Sequence, residues 1–359
     1  MAGTRAFRLL DIPIVLGIIV GSAYLVYVTV IYLGPLVLYP TYVDYAPAEL
    51  VLNRFDPYGG WRHDFALSPT RKQLVAAGAG KIYWIDDWDD EDLLQTEIQE
   101  LHVAEVYAAT YSGDGKRVAF FIVKHGNPPV LSIAFYDSGT RQLLGQWPAP
   151  PEQWFSRLFI SHDGSALLNW SDGGLQVMKS SNGELISTIK TPTDRAWVSF
   201  AGHGRLVMVG CDDHYEEFAL YVSEEPYKDM QLVSSVKAPT GTQLTRPLLS
   251  PDGSYVALRV HPTYSVNVYR IADGQEIAKL EGTCHVVSFA FSSSGRFLAI
   301  SYSDDTVTLW RIDSATKLCT LRGLPFYPIR FLAFGSDEKT LLTRDVKATV
   351  VWDIRRYAN

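Results

Sequence analysis

Residues Ser288 to Trp310 read SFAFSSSGRFLAISYSDDTVTLW. Three short apolar runs, ending at Phe291, Ile300 and Trp310, are separated by two clusters of Ser, Gly and Asp. Short runs rich in Phe, Leu, Ile and Val, bounded by turn formers, are the signature of β-strands joined by tight turns. Gly295 gives the turn Ser292-Ser-Ser-Gly295 a position that tolerates positive φ, and Asp304 supplies a local side-chain acceptor for the next turn.

The same unit recurs on both sides. Equivalent first turns begin at Ser68, Ser112, Ser161, Ala201, Ser250, Ser292 and Gly335, so seven units follow one another at intervals of 40 to 49 residues. Each turn is followed by a strand-type run, as at Arg117-Val-Ala-Phe-Phe-Ile122 and Tyr255-Val-Ala-Leu-Arg-Val260, and by a third run such as Lys81-Ile-Tyr-Trp-Ile-Asp86. A fourth strand with period-2 alternation comes next, clearest at Gln275–Leu280 and Lys317–Leu321. Apolar inner strands and more polar outer ones predict an all-β fold, a seven-bladed propeller of four-stranded sheets stacked radially. Only Glu91–Leu101 carries a short helix-type pattern.

A four-stranded repeat of this length resembles the WD-repeat β-propeller family, with diverged repeats. The resemblance runs from about Glu49 to Asn359 and is strongest in Ser288–Trp310 and in the closing Val350-Val-Trp-Asp-Ile354. It implies a turn-bracing network in the sixth unit formed by His285, Asp304 and Trp310. It also implies a body that presents surfaces to other proteins. The last unit stops after its third strand, so its outer strand is expected from Glu49–Phe55, which closes the ring and leaves no long unpaired edge.

Ahead of the repeats, no charged residue occurs between Asp11 and Asp44, and Ile14–Leu33 holds 12 Leu, Ile or Val residues. That length and composition predict a transmembrane helix over residues 12–39, preceded by a short tail (1–11) and followed by a linker (40–48) and the propeller (49–359). Asp11 serves as N-cap, Pro13 lies in the first turn, and Gly34-Pro35 ends the helix. The run is too long for the apolar core of a cleaved signal peptide. Arg5 and Arg8 precede it, whereas Asp44 and Glu49 follow it, so the N-terminus is expected in the cytoplasm and the propeller outside it, in a periplasm or lumen. Gly17 and Gly21 form a small-xxx-small pair at which a partner helix can approach closely.

The chemistry of the remaining residues is sparse. Lys and Arg total 32 against 39 Asp and Glu, a formal net charge of −7, which argues against nucleic acid as partner. No phosphate-binding glycine loop, nucleophile elbow or zinc-protease motif occurs, and no cofactor is expected. Cys211, Cys284 and Cys319 lie in or beside predicted strands and read as buried structural thiols, with a single disulfide open to them if the propeller is extracytoplasmic. Cys211-Asp212-Asp213-His214 has metal-ligating residue types, but neighbours on a strand point to opposite faces and do not converge on one ion. The loop from Asp86 to Asp92 carries six acids in seven residues without EF-hand spacing. It is read as a solvated acidic loop or as a docking patch of Asp87, Trp88, Asp89, Asp90 and Glu91.

Three functions remain in view: a membrane-anchored, non-catalytic scaffold for protein–protein interaction, an accessory subunit of a membrane complex, and a propeller enzyme or solute-binding protein using the central funnel. The last would draw on residues such as Arg259 and His261. The scaffold accounts best for the lack of catalytic motifs, with other proteins, among them membrane proteins, as partners and the bilayer contacted through residues 12–39.

Overall fold

A computed structural model describes residues 48–52, 64–78, 80–87, 95–101, 105–124, 126, 129–149, 158–171, 174–191, 196–200, 205–223, 230–322, 328–344 and 349–358. β1 (Ala48–Leu52) comes first. Blade 1 comprises β2 (Asp64–Leu67), β3 (Gln73–Gly78), β4 (Lys81–Asp86) and β5 (Gln95–Glu100). Blade 2 comprises β6 (Glu105–Tyr111), β7 (Arg117–Lys124), β8 (Val130–Asp137) and β9 (Leu143–Pro148). Blade 3 holds β10 (Phe159–Ile160), β11 (Ala166–Ser171), β12 (Gly174–Lys179) and β13 (Leu185–Ile189). Blade 4 holds β14 (Ala196–Phe200), β15 (Leu206–Cys211), β16 (Glu217–Ser223) and β17 (Gln231–Lys237). Blade 5 is made of β18 (Gln243–Leu249), β19 (Tyr255–His261), β20 (Ser265–Arg270) and β21 (Glu276–Glu281). Blade 6 is made of β22 (Val286–Phe291), β23 (Phe297–Tyr302), β24 (Thr306–Arg311) and β25 (Thr316–Arg322). Blade 7 has β26 (Phe331–Phe334), β27 (Thr340–Arg344) and β28 (Thr349–Asp353), and a single helical turn, α1 (Arg355–Ala358), follows.

Each blade is an antiparallel sheet whose strands pair in chain order. The exception is blade 7, where β1 pairs antiparallel with β28, Ala48 opposite Trp352 and Leu52 opposite Thr349, so one sheet contains both ends of the described chain. The first strand of each blade lies innermost, and β2, β6, β10 and β14 contact one another in succession, as do β18, β22 and β26.

Seven apolar clusters hold the ring together, one at every boundary between consecutive blades. Alternation within the second strands explains this. Val75 and Ala77 pack with Val118, Phe120 and Tyr136 of blade 2, whereas Leu74 and Ala76 pack with Leu342 and Val351 of blade 7. A strand buried on both faces must be apolar throughout, which is why β3, β15 and β23 are buried along their whole length.

The turns that close the first hairpin share one hydrogen-bond pattern. Ser161 Oγ donates to Asp163 Oδ1 at 2.7 Å and accepts the Ala166 N–H at 2.9 Å, and Gly164 sits at φ +68°. Ser112 with Asp114 and Ser250 with Asp252 repeat it, with Gly115 and Gly253 in the left-handed region. In blade 7, which has Gly335 in place of the serine, Glu338 takes the left-handed position at φ +57°.

The helix-type pattern at Glu91–Leu101 is instead strand β5 over Gln95–Glu100, paired along its length with β4, because tertiary pairing overrides a weak local period. The span expected at 12–39, with Gly17 and Gly21, lies outside the described residues, and among those described no helix is long and apolar enough to cross a membrane.

Candidate interaction surfaces

The outer strands of the blades repeat one irregularity. In blades 2, 3 and 5 the register slips after the first outer-strand residue, and in blades 4 and 6 after the second, so Leu144, Ile186, Val233, Ile277 and Leu318 are each an extra residue in a β-bulge. The residue just before each bulge pairs with the end of the third strand: Leu143 with Tyr136, Leu185 with Met178, Leu232 with Tyr221, Glu276 with Tyr269, and Lys317 with Trp310. Blades 5 and 6 thus place a charge at this position, and Ile277 and Leu318 beside it are half-buried. Blades 2, 3 and 4 place leucine there, followed by a second exposed aliphatic. Leu143, Leu144, Leu185, Ile186, Leu232 and Val233 are each 40–60% exposed. A bulge throws its side chains outward and blunts the edge, but it does not require them to be apolar. An apolar pair at the outer-strand bulge thus recurs on three consecutive blades, two residues further along the sheet in blade 4 than in blades 2 and 3.

At the boundary between blades 1 and 2 the polar residues are inward and satisfied. Tyr111 donates to Gln73 Oε1 at 2.9 Å, and Gln73 Nε2 donates to Asp86 Oδ1 at 2.7 Å and to the Ser138 carbonyl at 3.1 Å. Arg141 pairs with both Asp86 and Glu97. Burial pushes the Tyr111 phenol well above its ordinary pKa, and the nearby Asp86 carboxylate adds to the shift. Asp86 is the first acid of the acidic loop, and here it serves the blade boundary. Asp87 follows at φ +48°, its N–H bonded to the Lys72 carbonyl at 2.8 Å. Trp88, Asp89, Asp90 and Glu91 lie outside the described residues.

His285, Asp304 and Trp310 all fall in or beside blade 6. Asp304 Oδ1 accepts from Thr306 N at 3.2 Å and from Thr306 Oγ1 at 2.6 Å, bracing the turn between β23 and β24. The His285 carbonyl accepts the Ser303 N–H at 2.9 Å, and its ring meets Tyr264 edge-on at 5.0 Å. Trp310 Nε1 donates to Thr308 Oγ1 at 2.7 Å, and that hydroxyl lies 3.3 Å from Tyr302 Oη. Blade 7 repeats the tie from Trp352 to Thr343 at 2.8 Å. The threonines escape a reading of the sequence because their role depends on which strand face they share with the indole.

Among the described residues no group of three His, Cys, Asp or Glu side chains could hold a metal ion, and Cys211, Cys284 and Cys319 are not joined in a disulfide, Cys211 and Cys319 being buried. Arg259 is half-buried on β19, and His261 is exposed at its end.

These sheets define a seven-bladed β-propeller. A model of the WD domain, G-beta repeat, matches residues 274–311, from the turn before β21 through β24. No curated protein sequence matches the chain. The match covers one repeat, offset so that it joins the outer strand of blade 5 to the three inner strands of blade 6.

Proposed function

We propose that this protein is a membrane-tethered, non-catalytic interaction platform whose propeller docks a partner protein along the rim of blades 2, 3 and 4. The observation that carries the docking is the set of six half-exposed aliphatic side chains at the bulges of β9, β13 and β17, where the bulges of blades 5 and 6 have Glu276 and Lys317 at the first position. Covering one such side chain is worth about 1 kcal/mol, so the six together suffice to anchor an interface core. A WD-type repeat in a propeller, a scaffold that commonly binds other proteins, agrees with this.

The tether rests on the uncharged run between Asp11 and Asp44, and Arg5 and Arg8 orient the N-terminus toward the cytoplasm with the propeller on the other side. Gly17 and Gly21 give the helix a face for close packing against a helix of the partner.

The test places a photo-crosslinking amino acid at Leu185 in the full-length chain, in native membranes. A discrete protein adduct is expected. It should disappear when Leu143→Glu and Leu232→Glu are added, with the thermal unfolding midpoint unchanged. An adduct pattern indifferent to those charges overturns the docking surface. Recovery of the full-length chain in the supernatant after an alkaline wash overturns the tether.

A further inference from the structure

The inner edge of blade 5 carries two arginines that no carboxylate of the described residues neutralises. Arg246 lies on β18, the innermost strand, at φ +51° in a bulge where the register slips between Thr245 and Leu248. Pro247 follows it and has no N–H to lose from the ladder, which favours a bulge there. Arg259 lies opposite Thr245 on β19. Both reach across to blade 6 and end on adjacent carbonyls: Arg246 Nη1 donates to Val287 O at 2.6 Å, and Arg259 Nη1 to Val286 O at 3.4 Å. Arg259 Nε also donates to Thr245 Oγ1 at 3.0 Å. These are all the hydrogen bonds that the two side chains make to the described residues, and each acceptor is a neutral oxygen.

Part of this is scaffold. Blade 2 has the same bulge, with Ala108 at φ +47°, and β22 slips at Val287. The Arg259 contact also has a counterpart in blade 6, where Ser301 Oγ donates to the Ile329 carbonyl at 2.7 Å. A serine is therefore enough to tie one blade to the next, and an alanine is enough to occupy the bulge. Two guanidinium groups at this spot exceed both requirements. They also repel one another: Arg259 has its pKa lowered by burial and, next, by the charge of Arg246. A strained residue that carries an unneutralised charge beside a second one is a feature that the fold alone does not call for.

We propose that Arg246 and Arg259 form a binding site for an oxyanion, the carboxylate or phosphate group of a ligand, at the inner edge of the ring between blades 5 and 6. A guanidinium has five N–H donors in a planar fork. One is used on Arg246 and two on Arg259, leaving several to grip an anion lying across the pair. Arg246 is exposed and can pivot onto a ligand, while Arg259 is held by Thr245 and Val286 and fixes the place. The site lies apart from the aliphatic rim and does not depend on it.

The full-length chain in detergent is titrated with inorganic phosphate in one arm and with succinate in the other, at constant ionic strength held by chloride, by calorimetry and thermal shift. Saturable binding of at least one anion is expected. Phosphate alone identifies a phosphoryl ligand, and succinate alone a carboxylate. Arg246→Gln, at an exposed side chain, should weaken binding by about tenfold or more, with the midpoint of the anion-free protein unchanged. Arg246→Lys, which keeps the charge but loses the fork, should fall between. Arg259→Gln tests the second arm where it folds. The proposal is overturned if neither anion binds above chloride, or if Arg246→Gln binds as tightly as the parent.

Discussion

The hydroxyl of Tyr111 donates to Gln73 Oε1 at 2.9 Å across the boundary between blades 2 and 1, and both side chains are almost fully buried. Gln73 is the hub, since its amide nitrogen serves Asp86 and the Ser138 carbonyl. Replacing it with leucine strands the phenol and that carbonyl together, so Gln73→Leu should cost about 2–3 kcal/mol. Tyr111→Phe removes one donor and leaves one lone acceptor, and should cost about 1 kcal/mol. In the double variant the losses should sum to less than their separate values, because the bond is shared. Urea unfolding of the four proteins measures this, and additive losses would show that the contact carries no coupling.

The two ends of that bond differ in how far the sequence discloses them. The strands containing Gln73 and Tyr111 are readable from their apolar runs and from the Ser68 and Ser112 turns, because turn chemistry and strand period are local. The bond joins residues 38 apart in the chain and depends on how two separate sheets are set against each other, which no local pattern encodes. The rim was hidden for another reason. Leu143, Leu185 and Leu232 each read as ordinary strand residues, and only comparison with Glu276 and Lys317 at equivalent bulges sets them apart. Arg259 is readable in the sequence as a funnel residue, whereas the place of Arg246 depends on its bulge and its reach to Val287.

The serine–aspartate turns should make the ring sensitive to acid. Burial raises the Asp163 pKa, but hydrogen bonds from Ser161 and Ser165 outweigh it and hold the carboxyl below its ordinary value, and Asp114 behaves likewise with Ser112 and Lys116. A carboxyl depressed in the folded state stabilises above its ordinary pKa and loses that contribution as pH falls through the depressed value. Asp163→Asn should therefore be less stable than the parent at neutral pH, by about 1 kcal/mol. The difference should shrink below about pH 4. Unfolding curves across this range decide it, and a gap that widens in acid would contradict the assignment.

Within blade 6 the indole of Trp310 is tied by Thr308, while Asp304 bonds to Thr306. Thr308→Val leaves a buried N–H without an acceptor and should cost about 1–3 kcal/mol. Asp304 is exposed, and Asp304→Ala should cost about 0.5 kcal/mol, the usual size of a surface change. Thr343→Val, which unties Trp352 in blade 7, should match Thr308→Val and add to it, since the two hydroxyls serve different indoles. Should Asp304→Ala prove as costly as Thr308→Val, the bracing would run through the carboxylate instead.

Ring closure gives the sharpest structural test, because among the described strands β1 is the one supplied from the far end of the chain. Blade 7 without Ala48–Leu52 keeps β26, β27 and β28 but exposes the outer edge of β28, where Thr349, Val350, Val351 and Trp352 pair with β1. Four consecutive residues of this kind on a bare edge invite pairing with another copy. A chain beginning at Ala46 should unfold in one cooperative transition as a monomer in solution. A chain beginning at Asn53 should unfold at a lower temperature and self-associate, and adding a synthetic peptide spanning residues 46–53 in excess should raise its midpoint with peptide concentration, as any ligand of the native state does. Chromatography with light scattering and thermal melts measure both effects. Identical behaviour of the two chains would mean that the pairing of β1 with β28 contributes nothing to holding the ring shut.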